Sequence, residues 1–313
     1  MAFTIDIYKD DIFPVINLTN NEDASFVQVY AFGALLNAFK IADSINLIDG
    51  FTSPQDAHDN ITNGFKSAKL SPFVCRLNKG KYFFNNHEHT IDKFYLEEEA
   101  IHGLLYDAIF TIVDQYADNN GSFVTLEYDY SKKDEGFPFS YRCTVNYSLE
   151  ENNRLVIETS VKNYSYSLMP VSDGWHPYFI LGGTINEIFM QINTEKMIEF
   201  NEQLIPTGNT LVYKKFQQPE ILGETFLDNC FLLNENNRPA CILKNNTSGL
   251  KLIIHPDRSY PYLQIYTPAH RRSIAIENLS ATPDSFNNKI GLKILQPGEI
   301  CSFKTTYSAS LEL

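Results

Sequence analysis

The feature that most restricts the fold is the way short runs of β-branched and aromatic residues are repeatedly cut off by turn formers. Asn119-Asn120-Gly121 separates the run 109–116 from 123–130, and Glu151-Asn152-Asn153 separates 141–149 from 155–161. Asn and Gly tolerate the left-handed backbone of tight turns, so both patterns predict antiparallel hairpins. Residues 81–84 and 89–91 flank Asn85-Asn86 in the same way. Residues 27–32 read as a strand up to Gly33; 34–39 read as another, although length alone does not separate that run from half a helix. Further strand patterns lie at 188–192, 242–244, 250–254, 263–266, 274–277 and 300–307. The best helical pattern, 97–108, carries Gly103 in its middle, which weakens it. No Gly/Ser/Pro-rich linker, composition break or fixed-period repeat divides the chain, so residues 1–313 are expected to form one domain, a large antiparallel β-sandwich.

Composition narrows the function. With 43% hydrophobic and 20% charged residues the chain is ordinary globular material, and no apolar run approaches the length of a membrane span. The N-terminus, with Asp6 and no basic start before an apolar segment, does not read as a secretory signal. Five scattered cysteines without metal-site spacing favour reduced thiols in a cytoplasmic protein, with no metal and no cofactor expected. A net charge of −13 and a pI near 5.0 argue against nucleic acid as a partner and favour a neutral small-molecule ligand. No membrane partner is expected, and monomer and homodimer both stay open.

Few residues carry chemistry. In Asp173-Gly174-Trp175-His176-Pro177-Tyr178-Phe179 a titratable His precedes a Pro, which disfavours the α region for His176 and suits an edge or a bulge. Strand alternation puts His176, Tyr178 and Ile180 on one face, and Trp175, Pro177 and Phe179 on the other. His176 is then either a core His satisfied by a carbonyl or a group aimed at an opening. Arg76 follows the apolar Pro72-Phe73-Val74-Cys75 and reads as a solvated turn or a clamp on hydroxyls. His102-Gly103 follows the acidic run 97–99 and reads as a surface His. Asp228, among apolar neighbours, is a turn former or a hydroxyl acceptor; Glu277 ends the alternating run Ser273-Ile274-Ala275-Ile276-Glu277 and reads as an exposed strand end or, beside a small Ala that leaves room, as a group facing a ligand.

Together these residues form a pattern. Arg76 within Pro72 to Gly80, His102-Gly103, His176 to Phe179, Ile205-Pro206-Thr207-Gly208, Asp228 before Cys230-Phe231, Gln264 to Thr267, Glu277 with Pro283 to Asn287, and Leu295 to Glu299 occur in the order and spacing of one family. From about Gly33 onward the chain resembles the aldose 1-epimerase (galactose mutarotase) family. The resemblance implies a β-supersandwich with a sugar cleft that interconverts α and β anomers at C1 of a free aldose. It implies Glu277 as base at the C1 hydroxyl, His176 as acid at the ring oxygen and His102 as its assistant, with Arg76, Asp228 and Gln264 holding hydroxyls and Tyr178 or Phe179 giving apolar contact. Gly174, Trp175, Leu104 and Asn278 depart from the family's pattern beside the presumed cleft, so the resemblance does not single out a sugar. Two other readings are a hexose-6-phosphate mutarotase, with His270-Arg271-Arg272 as its phosphate pocket, and a noncatalytic sugar-binding protein on the same fold.

Overall fold

The computed structural model describes residues 1–9, 12–42 and 45–312. Strands make up 53% of the chain and helices 6%, which places it in the all-β class. Two large antiparallel sheets dominate. The first has nine strands, in the order Thr111–Ala117, Gly121–Ser131, Ser140–Glu150, Arg154–Asn163, Ile300–Leu311, Leu250–Pro256, Cys241–Lys244, Phe189–Ile192 and Glu220–Ile221. The second runs Pro206–Val212, Thr194–Phe200, Asp228–Leu233, Tyr262–Tyr266, Ile274–Leu279, Gly174–His176 and Ala68–Leu70, with Tyr178–Phe179 also pairing to Ile274–Leu279. A five-stranded meander from Phe3–Lys9 to Ile45–Asn46 touches the first strands of the nine-stranded sheet.

Period-two burial explains why the sheets pack. In Ser140–Glu150 every second residue is buried, so Tyr141, Cys143, Val145, Tyr147 and Leu149 point inward while their neighbours do not. Aromatic rings from the two sheets meet edge-on: Tyr147 lies 6.0 Å from Trp175 and Tyr307 lies 5.4 Å from Phe179. The main apolar cluster draws on residues from Ala2 to Ala309.

The hairpins at Asn85-Asn86, 119–121 and 151–153 form as the turn residues predict, and Leu35–Ile41 is a strand, not half a helix. The helical reading of 97–108 is overturned. Glu99–Ile101 is a short strand there, and His102 and Gly103 both take left-handed backbone, with φ of 63° and 77°. A Cβ on residue 103 would run into the Ser71 carbonyl, so that close crossing demands the glycine. A helix does form at Pro54–Asn60, outside any predicted pattern. Ser53 caps it, its Oγ accepting from Asp56 N at 3.1 Å, with Pro54 in the first turn. Among the described residues no helix is long and apolar enough to cross a membrane. All five cysteines are free.

Candidate active site

Register assembles one wall of the site. Gln264 and Glu277 are direct partners on adjacent strands, and Gln264 pairs on its other side with Cys230, two residues beyond Asp228. Alternation therefore brings Asp228, Gln264 and Glu277 out on one face while Leu263, Ile265 and Ile276 enter the core on the other. Glu277 is not the exposed end of its strand. The strand runs on to Leu279, and the carboxylate is only 2% exposed.

His176 comes from the neighbouring strand. Gly174–His176 is flanked by strands on both sides, so Pro177 marks a break and not an edge; the chain resumes pairing at Tyr178 and Phe179, and Ile276 N donates to the Pro177 carbonyl at 3.2 Å. The expected faces hold: His176 and Tyr178 look into a cavity, Trp175 and Phe179 into the core. Phe179 therefore offers no contact to a ligand, contrary to expectation. Behind this strand the fully buried Lys69 donates to Asp173 Oδ1 at 2.6 Å and to the Gly174 carbonyl at 3.2 Å, and its ammonium sits 4.2 Å from the Trp175 ring. Such a pair holds the strand in place because either charge left alone at that depth is costly.

The opposite wall is a loop. Arg76–Leu77 pairs with the Glu99–Ile101 strand, and His102 N donates to the Cys75 carbonyl at 2.9 Å, so the left-handed step at His102 aims its ring across the cleft. The His102 and His176 rings lie 4.9 Å apart and nearly perpendicular, with Phe65 edge-on to His102.

All six candidates, Arg76, His102, His176, Asp228, Gln264 and Glu277, line one cavity of ≈ 390 Å³. Glu277 Oε1 is 3.2 Å from His176 Nε2, and Gln264 Nε2 donates to Asp228 Oδ1 at 2.8 Å. Cys75, which no spacing pointed to, donates its thiol to Glu277 Oε2 at 3.8 Å; its position directly before Arg76 was the one available hint. Phe94, Leu96, Phe200 and Leu204 line the same cavity, and Leu96 among them is exposed. Gly174, Trp175, Leu104 and Asn278 do not line it, contrary to their expected place beside the cleft: Trp175 and Leu104 enter the core and Asn278 Oδ1 accepts from Thr305. Neither does the basic cluster at 270–272. Arg271 donates to Asn186 Oδ1 at 2.7 Å and to the Gly223 and Thr225 carbonyls, and so staples three segments together. Arg76 is the one Arg or Lys among the lining residues.

Burial sets the electrostatics. It pushes the Glu277 carboxyl well above the ordinary carboxylate range, helped by the charge of Asp228 and opposed by the Cys75 thiol. It pushes His176 down to about 4, against an upward pull from its own backbone, and His102 well below its ordinary value, with His176 and Arg76 adding to the effect. Asp228 is raised by burial, with Arg76 and Gln264 pulling it back. Both shifts favour the uncharged forms, so burial draws the Glu277–His176 contact toward a neutral pair carrying one proton. Arg76 Nη1, His102 Nδ1 and Gln264 Oε1 are buried without any hydrogen-bond partner. Buried polar atoms are rarely left so, and three around one cavity mark a surface shaped for a polar ligand.

The family profile described as aldose 1-epimerase matches residues 14–308, nearly the whole chain. The chain belongs to the aldose 1-epimerase family. Its fold is shared by a galactose mutarotase-like protein of Clostridium acetobutylicum, at a TM-score of 0.87 and 17% identity over 99% of each chain. It is shared too by a galactose 1-epimerase of Lactobacillus acidophilus, at 0.83 and 20% identity over 99% of each. In sequence the chain is 25% identical over 237 residues, 74% of each protein, to the uncharacterized protein YihR of Escherichia coli. Membership of that family implies a sugar substrate.

Proposed function

We propose that the protein is an aldose 1-epimerase that interconverts the anomers of a free aldose at this cavity. The observation that carries the reading is the carboxyl and imidazole of Glu277 and His176, 3.2 Å apart and buried at the polar end of the cavity. In a cyclic aldose the anomeric oxygen and the ring oxygen share one carbon, so an acid and a base that serve both must sit side by side. Glu277 removes the proton of the C1 hydroxyl as His176 Nε2 delivers one to the ring oxygen; the bond from C1 to that oxygen breaks and the aldehyde forms. Rotation about the bond from C1 to C2 exposes the other face, the ring closes and the two residues exchange roles. The starting pair already holds the single proton this needs: a C1 hydroxyl donating to Glu277 favours its charged form and moves the proton to His176.

Arg76, Asp228 and Gln264 supply donors and acceptors for vicinal hydroxyls, and His102 stands beside His176 on the ring-oxygen side. Tyr178, its ring 5.1 Å from that of His176, gives an apolar face. A 6-phosphate substrate is disfavoured by the hydrogen bonds that hold Arg271 away from the cavity. Anomer exchange followed by NMR or polarimetry on free aldoses and their 6-phosphates tests the reading. Exchange of at least one free aldose well above the spontaneous rate is expected; binding without exchange would make the protein a noncatalytic sugar binder.

A further inference from the structure

Three ligand atoms of different softness converge at the polar end of the cavity. The Cys75 thiol, an imidazole nitrogen of His102 and a Glu277 carboxylate oxygen all lie within 4.8 Å of one another, and all three residues are buried. Cys75 Sγ and Glu277 Oε2 are already 3.8 Å apart. In a tetrahedral zinc site, bonds of about 2.0–2.3 Å set ligand atoms roughly 3.3–3.6 Å from each other, so closing this trio takes movements of about 1 Å or less, within the reach of side-chain torsions. His102 Nδ1 is buried and unpartnered. Cys75 holds a φ of 50°, an uncommon conformation for a residue with a side chain, and in it the thiol meets the carboxylate.

We propose that Cys75, His102 and Glu277 bind a soft divalent cation, zinc above all, and that the ion occupies the site in place of the sugar. A thiolate, an imidazole and a carboxylate suit zinc and leave a fourth position open to His176 or to water from the cavity. The Arg76 guanidinium in the same cavity opposes a dication; the thiolate and the Glu277 carboxylate, formed as their protons leave on binding, offset its single charge. On binding, the metal–sulfur bond replaces the thiol S–H and the metal–oxygen bond replaces the proton held by Glu277 and His176; both protons leave to water. Zinc is thus an inhibitor and not a cofactor, because it takes the carboxylate that the sugar reaction uses.

The test uses the full chain freed of metal with a chelator. Calorimetric titration with zinc is expected to give one ion per chain and a raised thermal midpoint, while magnesium, which prefers all-oxygen shells, gives neither. Cobalt(II) is expected to produce a thiolate charge-transfer absorption that Cys75→Ser loses. Cys75→Ser and His102→Gln should each weaken zinc by about a hundredfold or more, beyond the 10- to 100-fold typical of losing an outer partner of a metal ligand. In anomer exchange, zinc should slow the wild type, excess chelator should restore it, and Cys75→Ser, judged against its own metal-free rate, should resist zinc. Absence of binding, a cobalt spectrum unchanged in Cys75→Ser, or equal effects of magnesium would each overturn the proposal. Calorimetry and the cobalt spectrum need no turnover, so failure here is distinct from failure of the proposed activity, on which only the inhibition rests.

Discussion

Glu277 and His176 are each ordinary alone; buried 3.2 Å apart, they become, in the proposed mechanism, a unit that shares a proton. Glu277→Gln keeps the shape and removes the base, and His176→Asn keeps a polar group that relays no proton. Each should slow anomer exchange by about 10²- to 10⁴-fold with the thermal midpoint nearly kept, and the double variant should be little slower than the poorer single one. Near-wild-type exchange by Glu277→Gln would remove it as the base. The pH profile belongs to the pair. In the proposed mechanism its one-proton form is the reactive one, so the acid limb is expected from adding a second proton, near the His176 value of about 4. The alkaline limb comes from losing the single proton, which burial of Glu277 moves well above the ordinary carboxylate range. A rate profile of chelator-treated enzyme should therefore show a broad plateau through neutral pH. A fall-off centred on the ordinary pKa of histidine, near 6.5, would contradict this pairing.

At the level of elements, the loop wall depends on backbone that only certain residues accept. Gly103 sits at φ 77° against the Ser71 carbonyl, and the same crossing holds His102 over the cavity. Gly103→Ala should cost about 1–3 kcal/mol from strain and impair exchange as well, read as a lowered thermal midpoint with a lowered rate. The two arginines separate by what they join. Arg76→Ala removes a cavity donor and should raise KM for the sugar more than it lowers stability. Arg271→Ala breaks bonds linking Asn186, Gly223 and Thr225, so it should cost about 1–3 kcal/mol of stability, read as a lower thermal midpoint, and leave KM near wild type. A KM effect of Arg271→Ala confined to a 6-phosphate would revive the phosphate pocket.

For the molecule as a whole, an apolar cluster drawing on residues from Ala2 to Ala309 predicts one cooperative unfolding transition, with near- and far-UV signals coinciding; two resolved transitions would divide the chain. That architecture was legible early, because hairpin turns and period-two alternation are local properties: Asn85-Asn86, 119–121 and 151–153 dictate their hairpins whatever surrounds them, and the faces of His176 and Trp175 follow from the pleat. The six cavity residues were legible too, though only as a joint pattern, since singly Arg76 passed for a turn residue and His102 for a surface one. The sequence could not exclude a helix at 97–108, because its apolar spacing is neutral until the Ser71 carbonyl arrives from 32 positions away to require Gly103. Nor could it show Cys75 against Glu277, Lys69 beneath Trp175, or Arg271 turned from the cavity. Those are contacts between residues far apart in the chain, and packing alone brings them together. What the sequence by itself determined is therefore which residues pair locally and which face each one takes. The tertiary structure decided depth and distance: which carboxyl is dry, which imidazole lies beside it, and so which groups share a proton.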